Sequence, residues 1–294
     1  MIGVLVVGVL LLIPNRSFIG DSPDAVSVAL AEVTVAKEGA YCFYNPAVTG
    51  LSQGEIIMFS FDYVYESIED VLNYESKIRG RYFSYFLIGE GGVNLSYRAV
   101  SRKDLVNEDG EIIYSVDEFL LNLASLLYFN FYGGVNFKYY YVRYGEALRW
   151  GESYNLNLDT GNGYGVDIGF VYTFGNINVG LSGINIISKV YYKDYESDRP
   201  PTIFRGAVVF HPHNLVRVGI GGEKNSSSEL RDFFNAGIEF KPFKSIWLRG
   251  GLTTSSISKD DFFYSFGFGV SIRSTEVNFG IRKSRVYLTL KVKG

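Results

Sequence analysis

From about residue 54 to its end, the chain alternates apolar and polar residues, and this alternation limits the folds open to it. The stretch from Phe262 to Ile272 shows the pattern most clearly. Every second residue from Phe262 onward is large and apolar, whereas the residues between them are mostly Gly and Ser. Successive side chains of a β-strand leave opposite faces, so this period predicts a strand with one bulky face. Bulky residues on one face and small or charged residues on the other are typical of transmembrane barrel strands.

Strands of this kind follow one another along the rest of the chain. Roughly fourteen fit between Glu55 and Lys293, most of about the 9–11 residues that a tilted strand needs to cross a bilayer. Short turns such as Gly175-Asn176 alternate with longer polar connections, the longest predicted at 101–117 and 143–163. In hydrocarbon every backbone N–H and C=O must be paired within the protein, so the sheet must close. The sequence therefore predicts an all-β fold, a single antiparallel transmembrane β-barrel over residues 54–294, with the short turns on the periplasmic side.

The composition agrees with a barrel. Aromatic residues make up 16% of the chain, which contains 33 Gly and has a mean hydropathy of +0.08. The alternative, a soluble β-sandwich or periplasmic barrel, would have to bury the aromatic face of nearly every strand and expose Gly-rich faces to water. A net charge of −3 with scattered Lys and Arg gives no surface for nucleic acid. Cys42 is the single cysteine, which excludes an internal disulfide.

The first twenty residues are predicted to be an export signal. An apolar run over residues 1–13 stops at Pro14 and is too short to cross a bilayer comfortably. No basic residue precedes the run and no clean cleavage site follows it, so an uncleaved anchor is the alternative. Export of a barrel implies the outer membrane of a diderm bacterium as its location.

Residues 21–53 precede the first predicted strand and differ from the rest of the chain. They are rich in small residues, have a mild helical character, and reach the motif Asn45-Pro46-Ala47. Pro46 biases Asn45 away from helix. The segment is either a strap on the end of the barrel or a small N-terminal plug folded into the lumen.

Several stretches resemble one family of outer-membrane barrels. The string from Ala31 to Ala47, AEVTVAKEGAYCFYNPA, resembles the segment that opens barrels of the long-chain fatty-acid transporter (FadL) type, including PorV-like barrels of type IX secretion. Further stretches similar to the PorV-like branch are Gly163–Asn185, Phe234–Gly251 and Ser265–Gly280. The chain departs from the family at Val48-Thr49-Gly50, where Gly-Leu is usual, and its last strand has no terminal aromatic residue.

This resemblance implies a fourteen-stranded barrel with a plug that contains Asn45, Pro46 and Ala47. The fatty-acid branch moves hydrophobic molecules through the outer membrane, and the PorV branch tethers exported proteins. We therefore expect passage of hydrophobic or amphipathic small molecules, with membrane lipid as the surrounding partner. Binding of exported proteins and a mainly structural role are the alternatives.

Few residues suggest other chemistry. There is no Ser/His/Asp set or pair of carboxylates at catalytic spacing, so we expect neither an enzyme nor a bound cofactor. His211-Pro212-His213 falls in a short turn without a nearby carboxylate or Cys cluster, which favours a plain turn over a metal site. Trp247 is predicted to lie in an interfacial girdle.

Charged residues at lumen-facing positions form the candidate site. They either pair with each other and the plug or line a permeation path. These residues are Asp62, Lys138, Asp167, Arg217, Glu223, Glu239, Lys241 and Arg249.

Overall fold

The fold was determined from a computed structural model of the chain. The structure describes residues 24–37, 42–52, 54–64, 85–107, 110–150, 153–193, 196–227, 232–255, 262–282 and 285–294. The predicted export signal over residues 1–20 lies outside these described residues, as do parts of several connections.

Fourteen antiparallel strands form one closed barrel, which confirms the predicted fold class. Each strand pairs with its neighbours in sequence, and β1 pairs with β14 from Ile56–Lys293 to Val64–Arg285. The strands are β1 Glu55–Val64, β2 Tyr85–Glu90, β3 Val93–Asn107, β4 Gly110–Tyr128, β5 Phe131–Trp150, β6 Ser153–Phe174, β7 Ile177–Tyr192, β8 Ile203–His213, β9 Val216–Asn225, β10 Phe233–Phe243, β11 Ile246–Thr254, β12 Phe262–Ile272, β13 Thr275–Arg282 and β14 Arg285–Lys293.

The two faces of the sheet have opposite character, as the alternation requires. On the outer face Leu181 is 59% exposed and Phe266 is 65% exposed. On the inner face Ser265, the neighbour of Phe266, is 1% exposed. A continuous outer surface of large apolar side chains is stable in the hydrocarbon of a membrane and would be unfavourable in water.

Two predicted long connections are strands instead. β3 continues to Asn107 and β4 begins at Gly110, so most of the predicted connection 101–117 is paired backbone. Similarly, β5 continues to Trp150 and β6 begins at Ser153, which removes most of the predicted connection 143–163. The prediction was wrong because polar composition marks where a strand leaves hydrocarbon, and strand pairing can continue in water. β4, β5 and β6 are accordingly about twice as long as a tilted strand needs to be to cross a bilayer.

The described residues 24–37 and 42–52, which precede β1, lie inside the barrel and are called the inner segment. It contains one α-helical turn, α1 Ala25–Ala29, and two 3-10 helices, Val33–Ala36 and Pro46–Leu51. Asp24 caps α1, because its Oδ1 accepts the N–H groups of Val26 and Ser27, both at 2.9 Å. Among the described residues no helix is long and apolar enough to cross a membrane.

The inner segment follows the wall around the lumen. α1 packs against β11–β14, the 3-10 helix Val33–Ala36 packs against β7–β10, and the 3-10 helix Pro46–Leu51 packs against β4–β6. The chain therefore crosses the strands in the order opposite to their numbering, and the inner segment contacts most of the circumference.

The closed sheet predicts heat-modifiable mobility in detergent. Purified protein in SDS without boiling should migrate differently from the boiled protein, because a closed barrel keeps its paired backbone until it is heated. Gel electrophoresis of the two samples is the measurement. Identical migration would contradict closure of β1 on β14.

Candidate functional site in the barrel lumen

A belt of glycines on the inner face of the barrel lets the inner segment lie against the wall. A Cβ added to Gly237 would lie 2.6 Å from the carbonyl oxygen of Leu30, and one added to Gly280 would lie 2.5 Å from that of Ala25. Neither distance is tolerated by real side chains, so each position needs Gly. The glycines of this belt are Gly134, Gly169, Gly180, Gly219, Gly237, Gly251, Gly267 and Gly280.

Asn45 of the predicted plug motif joins the inner segment to itself and to the wall. Its backbone is extended, with φ −152° and ψ 113°, and Pro46 begins the following 3-10 helix. The Oδ1 atom accepts the N–H of Ala47 at 3.0 Å. The Nδ2 atom donates to the carbonyl oxygens of Val35 at 2.8 Å and of Phe170 at 3.0 Å. The side chain thus links two parts of the inner segment with β6.

Barrel side chains pair with backbone carbonyls of the inner segment. Asn136 Nδ2 donates to the Cys42 carbonyl at 2.8 Å, and Ser182 Oγ donates to the Tyr44 carbonyl at 2.6 Å. A segment with little regular structure has few internal partners for its backbone, and a buried carbonyl without a partner is costly. The inner face of the barrel therefore supplies hydrogen bonds that the inner segment lacks.

Four charged side chains on β3–β6 form the first charge cluster. Lys138 Nζ lies 2.8 Å from Asp167 Oδ1 and 3.5 Å from Glu118 Oε2. Arg98 Nη2 lies 3.1 Å from the same oxygen of Glu118. All four side chains are buried, and two cations balance two carboxylates. The first charge cluster is therefore electrically neutral as a unit.

The second charge cluster centres on Glu239 and ties the inner segment to β10. Glu239 lies 3.1 Å from Lys37 Nζ of the inner segment, 3.0 Å from Arg217 Nη1 and 2.7 Å from Arg249 Nε. Arg249 also lies 3.6 Å from Glu276. Burial lowers the pKa of the Lys37 amino group, and the charge of Glu239 opposes that effect. Lys37 is thus held at the wall by its contact with the Glu239 carboxylate.

The structure places the eight predicted lumen residues on the inner face, in different contacts. Lys138 and Asp167 belong to the first charge cluster, and Glu239, Arg249 and Arg217 to the second. The remaining three are separate from both clusters. Glu223 pairs with Arg205 at 2.7 Å, Asp62 is buried, and Lys241 is half-buried near the short turns.

Five charged residues of these contacts escaped the sequence analysis: Arg98, Glu118, Arg205, Lys37 and Glu276. Arg98 and Arg205 occupy lumen-facing positions of the alternation, which could have identified them. Glu118 was missed because the fourth strand was predicted to begin at Phe119, whereas β4 begins at Gly110.

An apolar cluster packs together inside the barrel beside the first charge cluster, on the side of the long connections. Glu118 is paired with Tyr140 in the β4–β5 register, and the next inner pair toward the long connections is Val116–Val142. Tyr140 also donates its hydroxyl to Asn185 Oδ1 at 2.7 Å. The side chains of this apolar cluster are Val100, Val116, Tyr140, Val142, Tyr144 and Val190, all buried. An inner wall of this kind differs from the polar lining of a water-filled barrel.

The His211-Pro212-His213 turn and Trp247 are also among the described residues. His213 Nδ1 accepts the N–H of Leu215 at 3.2 Å within the β8–β9 turn, and the described residues contain no group of three metal-binding side chains. Trp247, predicted for an interfacial girdle, faces the lumen instead. Its ring lies 4.8 Å from Lys241 Nζ and 5.9 Å from Arg249 Cζ, so a cation–π contact replaces the contact with the interface.

A groove of about 550 Å³ marks the outer face between β7 and β11. Gly206, Gly222 and Ala236 leave this space, and Leu181 and Ile220 are among the apolar side chains around it. The groove faces the membrane and lies outside the lumen.

Solved structures with a similar fold include a toluene transporter and a monoaromatic hydrocarbon channel. The Ralstonia pickettii toluene transporter TbuX matches with a TM-score of 0.67 and 12% identity, over 94% of this chain and 99% of that chain. The monoaromatic hydrocarbon channel CymD matches with a TM-score of 0.66 and 12% identity, over 93% and 96%. A Pseudomonas aeruginosa FadL homologue matches with a TM-score of 0.63 and 9% identity, over 93% and 98%.

The chain has the fold of FadL-type barrels. No protein-family model matches it, and no curated protein matches its sequence. The FadL part of the resemblance is thus supported by fold, whereas the PorV-like part stays a prediction.

The glycine belt predicts a difference between inner and outer glycines. Gly237→Ala should lower the free energy of unfolding by about 1–3 kcal/mol, because the new methyl group collides with the Leu30 carbonyl. Gly250→Ala is the matched control, since a Cβ there meets only Ile238 Cγ2 at 3.7 Å. Denaturant unfolding in detergent measures both, and equal stability of the two variants would contradict close packing of the inner segment.

The single cysteine reports on the position of the inner segment. Cys42 is buried, and burial raises the pKa of its thiol to about 11. Because the thiolate is the reactive form, maleimide should label Cys42 slowly at pH 8 in folded protein and rapidly after denaturation. Mass spectrometry over time measures labelling, and rapid labelling of folded protein would show that Cys42 is accessible.

Proposed function

We propose that this barrel passes hydrophobic or amphipathic small molecules across the outer membrane of a diderm bacterium. The observation that carries the proposal is the apolar cluster on the inner wall, next to an inner segment that occupies the lumen. An apolar molecule gains about 0.8 kcal/mol per buried methylene group on leaving water, so such a wall favours apolar solutes. A path for hydrated ions would instead need polar groups that are free to replace water.

In this proposal the inner segment is the plug. It contacts strands from β4 to β14 and is held by the glycine belt, by Asn45 and by the Lys37–Glu239 ion pair. The charged residues of the lumen pair with each other and with this plug. In the proposed function these ion pairs exclude water and hold the plug against the barrel wall. Passage then requires a movement of the plug, and the apolar cluster holds the solute on the side of the long connections.

The FadL-type fold supports this proposal independently. The matched structures include a toluene transporter and a monoaromatic hydrocarbon channel, and these names describe those proteins. Their fold extends over almost the whole of this chain, so the architecture that carries hydrophobic compounds in those barrels is present here.

The test replaces the apolar cluster by isosteric polar residues. The triple variant V116T/V142T/V190T should take up a hydrophobic aromatic probe about tenfold more slowly, because each buried hydroxyl disfavours an apolar neighbour by roughly 0.5 kcal/mol or more. Uptake of labelled toluene is measured in cells that express the variant at wild-type levels.

The matched control is V179T/V208T/V277T, which makes the same changes on the lipid-facing side. These three valines are partly exposed on the outer face, and uptake should stay at the wild-type rate. Equal loss in both variants would show that the apolar cluster has no special role. If wild-type protein gives no more uptake than an unrelated barrel, the transport proposal is wrong, and the tethering and structural alternatives remain.

A further inference from the structure

Positive charge is concentrated at the short-turn end of β9–β14. Lys244 lies in the β10–β11 turn, Arg273 in the β12–β13 turn, and Lys293 at the end of β14; all three are exposed. None of them makes an ion pair with another described residue. Arg217 and Lys241 face the mouth of the barrel from β9 and β10, and the side chain of Arg217 is 40% exposed. These five residues are called the basic rim.

The carboxylates near the basic rim offset its charge only in part. Glu239 pairs with Arg217 of the rim, and Glu239 and Glu276 are also engaged with Lys37, Arg249 and Lys291 of the inner face. Glu55 is exposed on β1 next to Lys293, since its carbonyl oxygen accepts the N–H of Gly294 at 3.0 Å, whereas Glu90 lies one strand further on, on β2.

The opposite end of the barrel carries exposed or partly exposed charges of both signs. Residues there include Asp159, Glu196, Asp198 and Asp232, together with Lys189, Lys193, Arg199, Lys224, Arg282 and Arg285. The whole chain has a net charge of −3, so the basic rim is a local feature and does not reflect an excess of basic residues in the protein.

Backbone hydrogen bonds show that the members of the rim are neighbours. The Lys241 N–H donates to Leu215 at 2.7 Å, the Ser271 N–H donates to Ser245 at 2.8 Å, and the Lys293 N–H donates to Ser274 at 2.9 Å. These bonds join the turns next to Lys244 and Arg273 to the adjoining strands. Strands lie about 4.8 Å apart, so six of them form an arc of about 24 Å. Turns two strands apart are separated by about 10 Å, slightly more than the Debye length of about 8 Å at physiological salt, so the potentials of their charges overlap fully only at low salt.

The width and direction of the basic rim select the kind of partner. An arc of about 24 Å is too wide for a single small anion, whereas an extended peptide of about eight residues spans 26–29 Å. Lys241 and Arg217 point toward the lumen, and the outer face beside them carries apolar residues such as Phe240 and Leu248. A lipid headgroup approaches from the outer face, so the rim is directed at a partner in the water at the short-turn side.

We propose that the basic rim binds an extended acidic segment of a partner protein on the short-turn side of the membrane. Complementary charge steers such a segment to the mouth and weakens with added salt. This proposal does not depend on the transport of hydrophobic molecules, because it rests on the turns and not on the lumen wall.

Fluorescence anisotropy tests the proposal with the full chain in an uncharged detergent. The probes are two labelled peptides of about eight residues, one of Glu and one of Gln. The Glu peptide should bind, its affinity should fall as salt is raised, and the Gln peptide should not bind. The variant K244Q/R273Q/K293Q should bind the Glu peptide at least tenfold more weakly.

The matched control is K193Q/R199Q/K224Q, which removes three positive charges at the opposite end and should bind as the wild type does. The single reversal Lys244→Glu is the second variant, and heat-modifiable mobility shows that each variant is folded. The proposal is overturned if wild-type protein does not bind the Glu peptide at low salt. It is also overturned if both triple variants lose binding equally, or if neither Lys244→Glu nor the rim triple variant weakens it.

Discussion

The pairing of β1 with β14 is the constraint on which the rest of this structure depends. In hydrocarbon an unpaired strand edge leaves a row of N–H and C=O groups without partners, at a cost of several kcal/mol for each group. The β1–β14 seam, from Ile56–Lys293 to Val64–Arg285, removes both edges. Closure also creates an interior of fixed width, so the residues of the inner face must meet either water or protein. Here they meet protein, because the inner segment follows the wall.

Filling a closed lumen with a nearly irregular chain raises a second problem of backbone pairing. α1 and the two 3-10 helices are short, and they satisfy few of their own carbonyls. On the barrel wall, Asn136 and Ser182 donate hydrogen bonds to carbonyl groups of the inner segment. The glycine belt lets the backbone of the wall and the backbone of the inner segment approach closely. The inner segment therefore packs on small inner-face residues of the strands. In the sequence, these residues look like ordinary lumen-facing positions of a barrel.

Much of this fold could be predicted from the sequence, because period-two alternation is a local pattern and is kept in most strands, although β7 interrupts it. The extended backbone at Asn45 also follows locally, from Pro46. Strand length could not be predicted in the same way, since the extensions of β3–β6 are polar and their pairing depends on the neighbouring strand. The course of the inner segment depends on contacts such as Ala25 with Thr289 and Asn45 with Phe170, which lie far apart in sequence. Glu118 is an example. Because the predicted start of the fourth strand was wrong, this residue of the first charge cluster was not recognised as lumen-facing.

If the barrel passes hydrophobic molecules as proposed, the charge clusters and the apolar cluster contribute differently to its selectivity. Removal of one partner from a buried ion pair costs about 3–5 kcal/mol, so Lys138, Glu118 and Asp167 do not readily exchange each other for a passing ion. Most charged atoms of the first charge cluster are engaged in these ion pairs, although the buried atoms Glu118 Oε1 and Arg98 Nε have no hydrogen-bond partner among the described residues. The apolar cluster next to it imposes no such cost on an apolar solute, which needs no hydrogen bonds. In the proposed function the paired charges therefore disfavour the passage of ions, and the apolar cluster favours the passage of hydrophobic molecules.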